Sequence, residues 1–455
     1  MFFLAAAVVA LASPSPSPQP RLHAWLYTRF YDARYLQSSA LPGGNQPNET
    51  DENAIGIVHA GYDLGRGFSA GATYSFSDPN ALAGLSDLNQ LQEGYLAYKS
   101  AQFSVKAGDQ YFNSPWADTH FKLGLAPTAF QGVDTTYSHG AWTLEGAQMT
   151  RFMSRTSPAF TRSNLLTGLA GGMNTGGFSY GRATYAPPDG GLSLSAYAYD
   201  VSDMVAFAWF SGFAALSDHG WRPFIGAQGG VERNAGASDL GIVHSSIGGL
   251  ILGASPTRTV TISAAVDAIP WRRATIALPS GSSCDSQGPA PTYQIANPHP
   301  AFPYFLPQGV GQCANRGNGA STIYYGGWAS PYSDGYSTDP MYTGPLLEGP
   351  VDRRSPGNSQ ALIGIYTSPN ARFSFTESYY WFDYSNALAT QATTEWDNVL
   401  VYYCSNVGTG RYRGLLFRYG YVQQHKSNVA YANGESFLGG VPLTRYSRFQ
   451  LEYAI

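Results

Sequence analysis

The connections between the predicted strands of this chain alternate between short and long along the sequence, except at 201–203 and 384–393, which are short where a long connection is expected. Along most of the sequence, apolar residues alternate with polar or small ones at a period of two, which predicts strands with one apolar face. The breaks between these strands are short at 65–66, 139–140 and 369–370, and long at 112–130 and 269–357. This rhythm is typical of a transmembrane β-barrel, whose periplasmic turns are short and whose external loops are long.

The fold class predicted from this pattern is all-β, a transmembrane antiparallel β-barrel of about 18 strands. An even count places both chain ends on the periplasmic side. Sixteen strands remain possible if one weak hairpin is misassigned. A secreted sandwich or propeller explains the pattern less well, because no fixed repeat of about 40–45 residues is found. The predicted strands span 22–31, 53–64, 67–77, 91–99, 102–111, 131–138, 141–150, 176–186, 191–200, 204–213, 220–231, 241–252, 258–268, 358–368, 371–383, 394–404, 410–422 and 444–455.

The composition supports a barrel that faces lipid. Charged residues make up 12% of the chain, roughly half of the average of about 25% in soluble proteins. The net charge of −4 offers no basic face, so nucleic acid is not an expected partner. No apolar run reaches the roughly 20 residues that a membrane-spanning helix requires.

The chain divides into a leader and a single domain. Residues 1–12 are apolar and end in Ala10-Leu11-Ala12, as expected for a secretory signal peptide. The Ser/Pro-rich residues 13–21 form a predicted periplasmic tether. Residues 22–455 form the predicted barrel, and the last strand is similar to the C-terminal signal read by the outer-membrane barrel assembly machinery. The expected location is the bacterial outer membrane, with membrane lipid as a partner.

Two of the three cysteines fall in the same Pro- and Gly-rich stretch. Cys284 and Cys313 lie within the predicted external loop 269–357. Export to an oxidising compartment makes a disulfide between them plausible. Cys404 lies at the end of a predicted strand, and the sequence assigns it no role. No CxxC or HxxxH spacing occurs, so neither a metal nor any other cofactor is expected.

Residues 109–137 resemble the OprD-type family of outer-membrane substrate-specific porins. The matching elements are Asn113-Ser114-Pro115-Trp116-Ala117, the acidic Asp118, and the run from Pro127 to Gly132 that leads into a strand. The resemblance implies an 18-stranded barrel with loops folded inward to narrow the lumen. It also implies small polar or charged solutes as substrates. It implies a monomer, although the chain itself leaves monomer or trimer open.

Charges that line a pore decide which solutes it passes. Because neighbouring residues of a strand face opposite sides, charges opposite each apolar stripe are expected to face the lumen. This rule selects six cations and four anions, which indicates a mild preference for anionic solutes such as carboxylates. Arg182 shares its parity with apolar residues, but the cost of a charge on the lipid face favours an inward position. The selected residues are Arg29, Lys106, Arg222, Arg372, Arg418, Arg448, Asp134, Glu145, Asp267 and Glu452.

The loops supply further candidate pore residues. If loop 112–130 folds inward, as the resemblance implies, Asp118 and Lys122 approach the pore. Arg151 and Arg155 begin the next long loop and are expected to extend the basic side toward the entrance. Loop 269–357 is far longer than the usual upper range of about 12–15 residues, which predicts either a plug in the pore or an external canopy.

The sequence predicts a porin for passive diffusion, and two other functions compete with it. A structural protein or adhesin would use its long loops instead of a channel. A membrane-embedded enzyme would need a catalytic set near a barrel rim. Two GxSxG matches, at Ser69 and Ser179, fall inside predicted strands and not at the strand-to-helix turn that this motif requires. The chain is therefore not predicted to be an enzyme.

Overall fold

The computed structural model of the chain describes 15 segments. The predicted signal peptide and tether, Lys122, Arg155 and all three cysteines lie outside them. The described residues are 22–37, 49–77, 89–119, 126–154, 157–166, 175–188, 190–237, 243–270, 272–277, 320–333, 340–344, 357–385, 390–403, 415–428 and 443–454.

Eighteen long strands form one sheet, and four short strands form two separate hairpins. Within the described segments, no helix is long and apolar enough to cross a membrane. The long strands are β1 (Leu22–Gln37), β2 (Glu49–Gly65), β3 (Phe68–Ser77), β4 (Asn89–Lys99), β5 (Phe103–Gln110), β8 (Ala129–His139), β9 (Trp142–Met153), β10 (Phe178–Tyr185), β11 (Leu192–Val201), β12 (Val205–Ala215), β13 (Pro223–Asn234), β14 (His244–Ala254), β15 (Val260–Ile269), β18 (Gly357–Thr367), β19 (Phe373–Ser385), β20 (Thr390–Tyr403), β21 (Leu416–Asn428) and β22 (Leu443–Ala454). The short strands are β6 (Asn113–Ser114), β7 (Ala117–Asp118), β16 (Arg272–Ala277) and β17 (Ala320–Tyr325).

The sheet closes on itself. Each long strand pairs antiparallel with the next, and β1 pairs with β22 from Tyr27↔Ala454 to Gln37↔Thr444. Strand β5 pairs directly with β8, and β15 with β18, so the short strands lie outside the main sheet. The predicted 18-stranded antiparallel barrel is confirmed, and each long strand overlaps one of the predicted strands. Closure leaves no strand edge unpaired, as a sheet in lipid requires.

The outer face of the barrel carries the apolar side chains of the period-two pattern. Leu250, Leu252 and Leu362 are each at least half exposed. Ile251, between Leu250 and Leu252, points to the interior, because side chains alternate along a strand. An apolar exterior on a closed barrel is the arrangement that a bilayer stabilises.

Short turns join the strands at the end of the barrel where β1 begins and β22 ends. In the two-residue turn between β8 and β9, Gly140 has a φ of 58°. A residue with a Cβ is strained in this left-handed region, and tight hairpins therefore favour glycine there. The turns place the long connections, including the 269–357 loop, at the opposite end.

Candidate pore interior

Three loop segments pack against the inside of the barrel wall. We call them the Trp116 segment (residues 112–119), the Trp328 segment (326–333) and the Thr343 segment (340–344). Trp116 and Trp328 are 1% and 0% exposed, respectively. They lie in one aromatic cluster with inward side chains of the wall, so these parts of the loops are folded into the barrel.

The Trp116 segment is a tight hairpin formed by its own sequence. Ser114 Oγ donates to the Ala117 carbonyl at 2.8 Å and accepts the Ala117 amide at 3.1 Å. Pro115 lies at the second position of this turn, where its fixed φ is favourable. Thr119 N donates to the Phe112 carbonyl at 2.8 Å and closes the base of the hairpin. The hairpin thereby presents Trp116 to the wall.

Aromatic side chains join the loop segments to strand β12. The ring centroid of Trp116 lies 5.1 Å from that of Trp209 and 5.1 Å from that of Trp328. Phe207 also contacts Trp328, with centroids 5.6 Å apart. Strand 204–213 has a weak pattern in the sequence because it is apolar on both faces. The structure gives the reason: one face is the barrel exterior, and the other is covered by the Trp328 segment.

Two buried carboxylates of the wall bind the loop segments through hydrogen bonds. Glu232 of β13 accepts the Ala329 amide at 2.7 Å. Asp267 of β15 accepts the amide of Thr343 at 2.8 Å and its hydroxyl at 2.7 Å. Gln228 donates to the other Asp267 oxygen at 3.0 Å. These hydrogen bonds hold both segments at defined points of the wall.

The segments also contact each other. Ala117 and Tyr332 form an isolated parallel bridge, which joins the Trp116 and Trp328 segments. Leu165 N, from the β9–β10 connection, donates to the Pro331 carbonyl at 3.0 Å. Burial raises the pKa of the Tyr332 hydroxyl above its ordinary value, which keeps this hydroxyl neutral. Three connections that are distant in sequence therefore form one packed unit inside the barrel.

The opposite part of the wall, on β2 to β5, is polar. Lys106 donates to Glu93 at 2.8 Å, and the Thr73 hydroxyl donates to the other Glu93 oxygen at 2.5 Å. His59 Nδ1 lies 2.7 Å from the same hydroxyl. The Lys106 ammonium also lies 4.0 Å from the centroid of the Tyr95 ring. These groups form a continuous polar network on the interior surface.

Arg182 lies on the inner wall, paired with an acid on the neighbouring strand. Its guanidinium is 3.2 Å from Glu145 and 5.9 Å from the centroid of the Tyr197 ring. Asp134 of β8 also lies on the inner face of the wall, opposite Lys106 of β5 in the strand register. Lys106, Asp134, Glu145 and Arg182 therefore all lie on the inner face of the wall.

Three arginines come together on β1, β21 and β22, and we call them the arginine cluster: Arg29, Arg418 and Arg448. Arg29 is opposite Glu452 in the register, and it is 2% exposed. Arg418 lies within electrostatic reach of Arg448 and Glu452. Arg448 donates to Gln450 at 2.8 Å. The cluster concentrates positive charge on one side of the interior.

Three of the expected basic pore residues lie elsewhere. Arg222 has a φ of 42° in a periplasmic turn, and its guanidinium donates to the Ser255 carbonyl of the next turn at 3.0 Å. Arg372 precedes β19, in a turn, and contacts the Tyr402 hydroxyl at 3.3 Å. A bulge in β8–β9 turns Arg151 to the exposed outer face, beside Gln131. Parity selected Arg222 and Arg372, and it fails at both because they lie in turns. Arg151 was expected from its place at the start of a loop, and the bulge changes its orientation.

Asp118 lies in the Trp116 segment. It is half-buried in the short strand β7, where its carbonyl accepts the Thr128 hydroxyl at 2.7 Å. Its backbone therefore helps to tie this segment to the start of β8.

Four buried carboxylates were not among the pore residues predicted from the sequence: Glu93, Glu232, Glu395 and Asp397. Parity along β20 would have identified the last two. Strand β4 carries an extra residue where its register with β3 shifts, which breaks the alternation at Glu93. Glu232 lies just beyond the predicted end of its strand. With these acids present, the excess of cations expected from the sequence is not found among the described inner-wall residues.

The closed barrel, its apolar exterior and the loop segments packed inside it together define a transmembrane β-barrel whose interior is partly filled by its own loops. No family model matches the sequence, and no curated protein matches it. Solved structures do match over nearly the whole chain.

The Pseudomonas aeruginosa protein OccK9 (OpdG) has a TM-score of 0.67 at 14% identity, covering 95% of this chain and 98% of that chain. OccK2 (OpdF) from the same organism has a TM-score of 0.66 at 12% identity, covering 95% and 97%. The P. aeruginosa outer membrane protein OpdK has a TM-score of 0.65 at 13% identity, covering 96% and 98%. Matching structures include OccK2 in complex with glucuronate and OpdK with vanillate. The chain thus has the fold of these OprD-type proteins, as the resemblance in residues 109–137 implied.

Proposed function

We propose that this protein is an outer-membrane porin that lets small polar or anionic solutes, carboxylates among them, diffuse through a loop-narrowed barrel. The observation that carries the proposal is the docking of the Trp116 and Trp328 segments onto the inner wall. Loops of an adhesin need not fold into the barrel, whereas a selective channel requires a constriction. The proposed constriction lies where these segments meet β12 to β15.

The charges of the interior suggest which groups would bind an anionic solute along its path. In the proposed path, a carboxylate leaves the constriction and meets the arginine cluster. Charge-assisted hydrogen bonds from guanidinium groups suit carboxylates. Glu395 and Asp397, on the adjacent strand β20, would interact with a cationic substituent of the same solute. The solutes seen with the structural matches, glucuronate and vanillate, support carboxylates as the first class to test.

The proposal is passive transport and not catalysis. Ser69 and Ser179, the centres of the two GxSxG matches, lie within β3 and β10. A serine nucleophile of that motif requires a sharp strand-to-helix turn, which a continuous strand does not provide.

The test is conductance of the refolded protein in a planar bilayer. We expect discrete current steps in potassium chloride, and a lower current when glucuronate or vanillate is added. Acetate serves as a smaller carboxylate, and glucose as a neutral ring of similar size to glucuronate. Insertion without any conductance step would refute the channel and would favour a structural or adhesive role.

A further inference from the structure

Two histidines lie side by side on the part of the inner wall that β1 and β2 form. His23 is the second residue of β1, and His59 lies on β2. In the strand register His23 is opposite Gly61, two residues from His59, so these three positions share one face of the sheet. That face is the interior, because His59 is buried against Thr73 whereas Val58, on the other face, is exposed.

The absence of a side chain at Gly61 lets the two imidazole rings approach each other. A Cβ at residue 61 would lie 3.1 Å from His59 Nε2 and 3.1 Å from His23 Cδ2, which is the carbon bonded to Nε2 of that ring. The edges of both rings therefore point toward the same place. His23 is exposed to the lumen, so its ring can rotate to direct Nε2 there. Two imidazole nitrogens that share a zinc ion, each about 2.0–2.1 Å from it, need such an approach.

The hydrogen bonds of His59 determine which of its two nitrogens carries the proton. The Thr73 hydroxyl has a single proton, which it donates to Glu93 at 2.5 Å. In its 2.7 Å contact with His59 Nδ1, the same hydroxyl must therefore accept, so Nδ1 is protonated. In a neutral imidazole the other nitrogen, Nε2, then has a free lone pair. Metal-binding histidines are usually oriented by such a hydrogen bond from the ring nitrogen that does not bind the metal.

Two aromatic rings stack on His59 and hold its plane. The ring of Trp25 lies 5.2 Å from it between centroids, with 12° between the planes. The ring of Tyr95 lies 6.3 Å from it, with 21° between the planes. The direction of the Nε2 lone pair is thus set before any ligand binds.

We propose that His23 and His59 bind a divalent transition-metal ion such as Zn²⁺ inside the barrel. Imidazole nitrogens suit Zn²⁺, Cu²⁺ and Ni²⁺, whereas Mg²⁺ and Ca²⁺ prefer oxygen ligands. Among the described residues, no group of three or more His, Cys, Asp or Glu side chains is placed to hold a metal ion. Water therefore completes the coordination, and the ion binds reversibly. No local spacing in the sequence indicates this site, because the register of β1 and β2 brings its two ligands together.

The experiment is calorimetric titration of Zn²⁺ into the refolded protein in detergent. The protein carries no histidine tag and its cysteines are replaced, because tags and thiolates also bind Zn²⁺. We expect a saturable site for one Zn²⁺ per chain, and no binding when Mg²⁺ is titrated instead. His23→Ala and His59→Ala should each abolish this site. Absence of Zn²⁺ binding in the protein with both histidines, or equal binding in both alanine variants, overturns the proposal.

Two further sets of variants test how the site is built. Thr73→Val removes the hydroxyl that keeps the proton on Nδ1 and should weaken Zn²⁺ binding about 10–100-fold. Thr73→Ser keeps the hydroxyl and should retain the affinity; equal weakening in both variants would overturn the positioning role of this hydroxyl. His139→Ala removes an exposed histidine at the end of β8 and is the matched control, in which Zn²⁺ binding should be unchanged. Circular dichroism during heating checks that each variant retains its barrel.

The metal site does not depend on the proposed porin function, because the titration requires no conducting pore. A protein that inserts into a bilayer without conductance would refute the porin and leave the calorimetric result in force. In a conducting barrel, a bound Zn²⁺ ion adds two positive charges to the lumen and should shift the reversal potential toward anion preference. His23→Ala should remove this shift. The same Zn²⁺-dependent shift in His23→Ala would overturn the assignment of the ion to these two histidines.

Discussion

Removal of the Asp267 carboxylate should release the Thr343 segment from the barrel wall. In the Asp267→Ala variant, the Thr343 amide and hydroxyl lose the acceptor that they contact at 2.8 and 2.7 Å. A hydrogen bond to a charged group contributes about 1.5–3 kcal/mol. Water forms some of these hydrogen bonds in the released segment, so we take about 3 kcal/mol for the two bonds together. This corresponds to a decrease of roughly 100-fold in the ratio of bound to released segment.

The assay is the single-channel current of Asp267→Ala compared with that of the wild type. We expect a higher mean conductance and more fluctuation within the open level, because a released segment no longer occupies a fixed part of the pore. Asp267→Asn keeps one acceptor oxygen and should lie between the two. Asp63→Ala removes a carboxylate that accepts the Gly65 amide at 2.8 Å near a periplasmic turn, and it should leave the current unchanged.

If Asp267→Ala has the same mean open-channel conductance and the same current fluctuation as the wild type, this reasoning is refuted. The segment would then be held by its apolar contacts alone, and the buried carboxylate would be dispensable for the pore. Circular dichroism during heating checks that each variant retains its barrel, so that lost structure is not mistaken for a widened channel.

Three further predictions follow from the same structure. The double variant Arg418→Gln/Arg448→Gln should shift the reversal potential in a salt gradient toward cation preference. Arg372→Gln, which removes an arginine from a turn, should leave the reversal potential unchanged. Equal shifts in the two proteins would contradict the role of the arginine cluster. In a background without native cysteines, Ala159→Cys should react with an impermeant thiol reagent on intact cells, and Asn370→Cys only after permeabilisation; the reverse pattern would contradict the topology. Non-reducing mass spectrometry should find Cys284 and Cys313 cross-linked. In the chain-entropy model, closing a loop of this size would stabilise the protein by roughly 3–4 kcal/mol; two free thiols would contradict the disulfide.

Most of the strands could be predicted from the sequence because they obey a local rule. A strand between water and lipid must alternate, so the parity of Lys106, Asp134 and Glu145 follows directly from the letters around them. The rule fails where local geometry breaks the period. Arg151 follows a bulge, and Arg372 lies outside its strand, so neither orientation follows from parity.

The docked loops could not be derived in the same way. Glu232 and Ala329 are 97 residues apart in sequence, and Asp267 and Thr343 are 76 apart. No periodic pattern connects residues at such separations, and a buried carboxylate in a strand has the same local pattern as one that faces water. The resemblance of residues 109–137 implied inward-folded loops, but it did not identify the wall residues that bind them.

The sequence nevertheless contains a signal for the docking site, on the strands whose inner face is apolar. An inner wall in contact with water needs polar side chains, as β2 to β5 have with His59, Thr73 and Glu93. Phe207 and Trp209 would face water on β12 unless another part of the chain covered them. Burial of one such side chain stabilises the folded state by about 1.5–3 kcal/mol. Packing of a loop over Phe207 and Trp209 is therefore strongly favourable for any loop that can reach them. In a barrel of this kind, a strand that is apolar on both faces therefore predicts where a loop folds inward, and the weakest strand pattern becomes the most informative one about the pore.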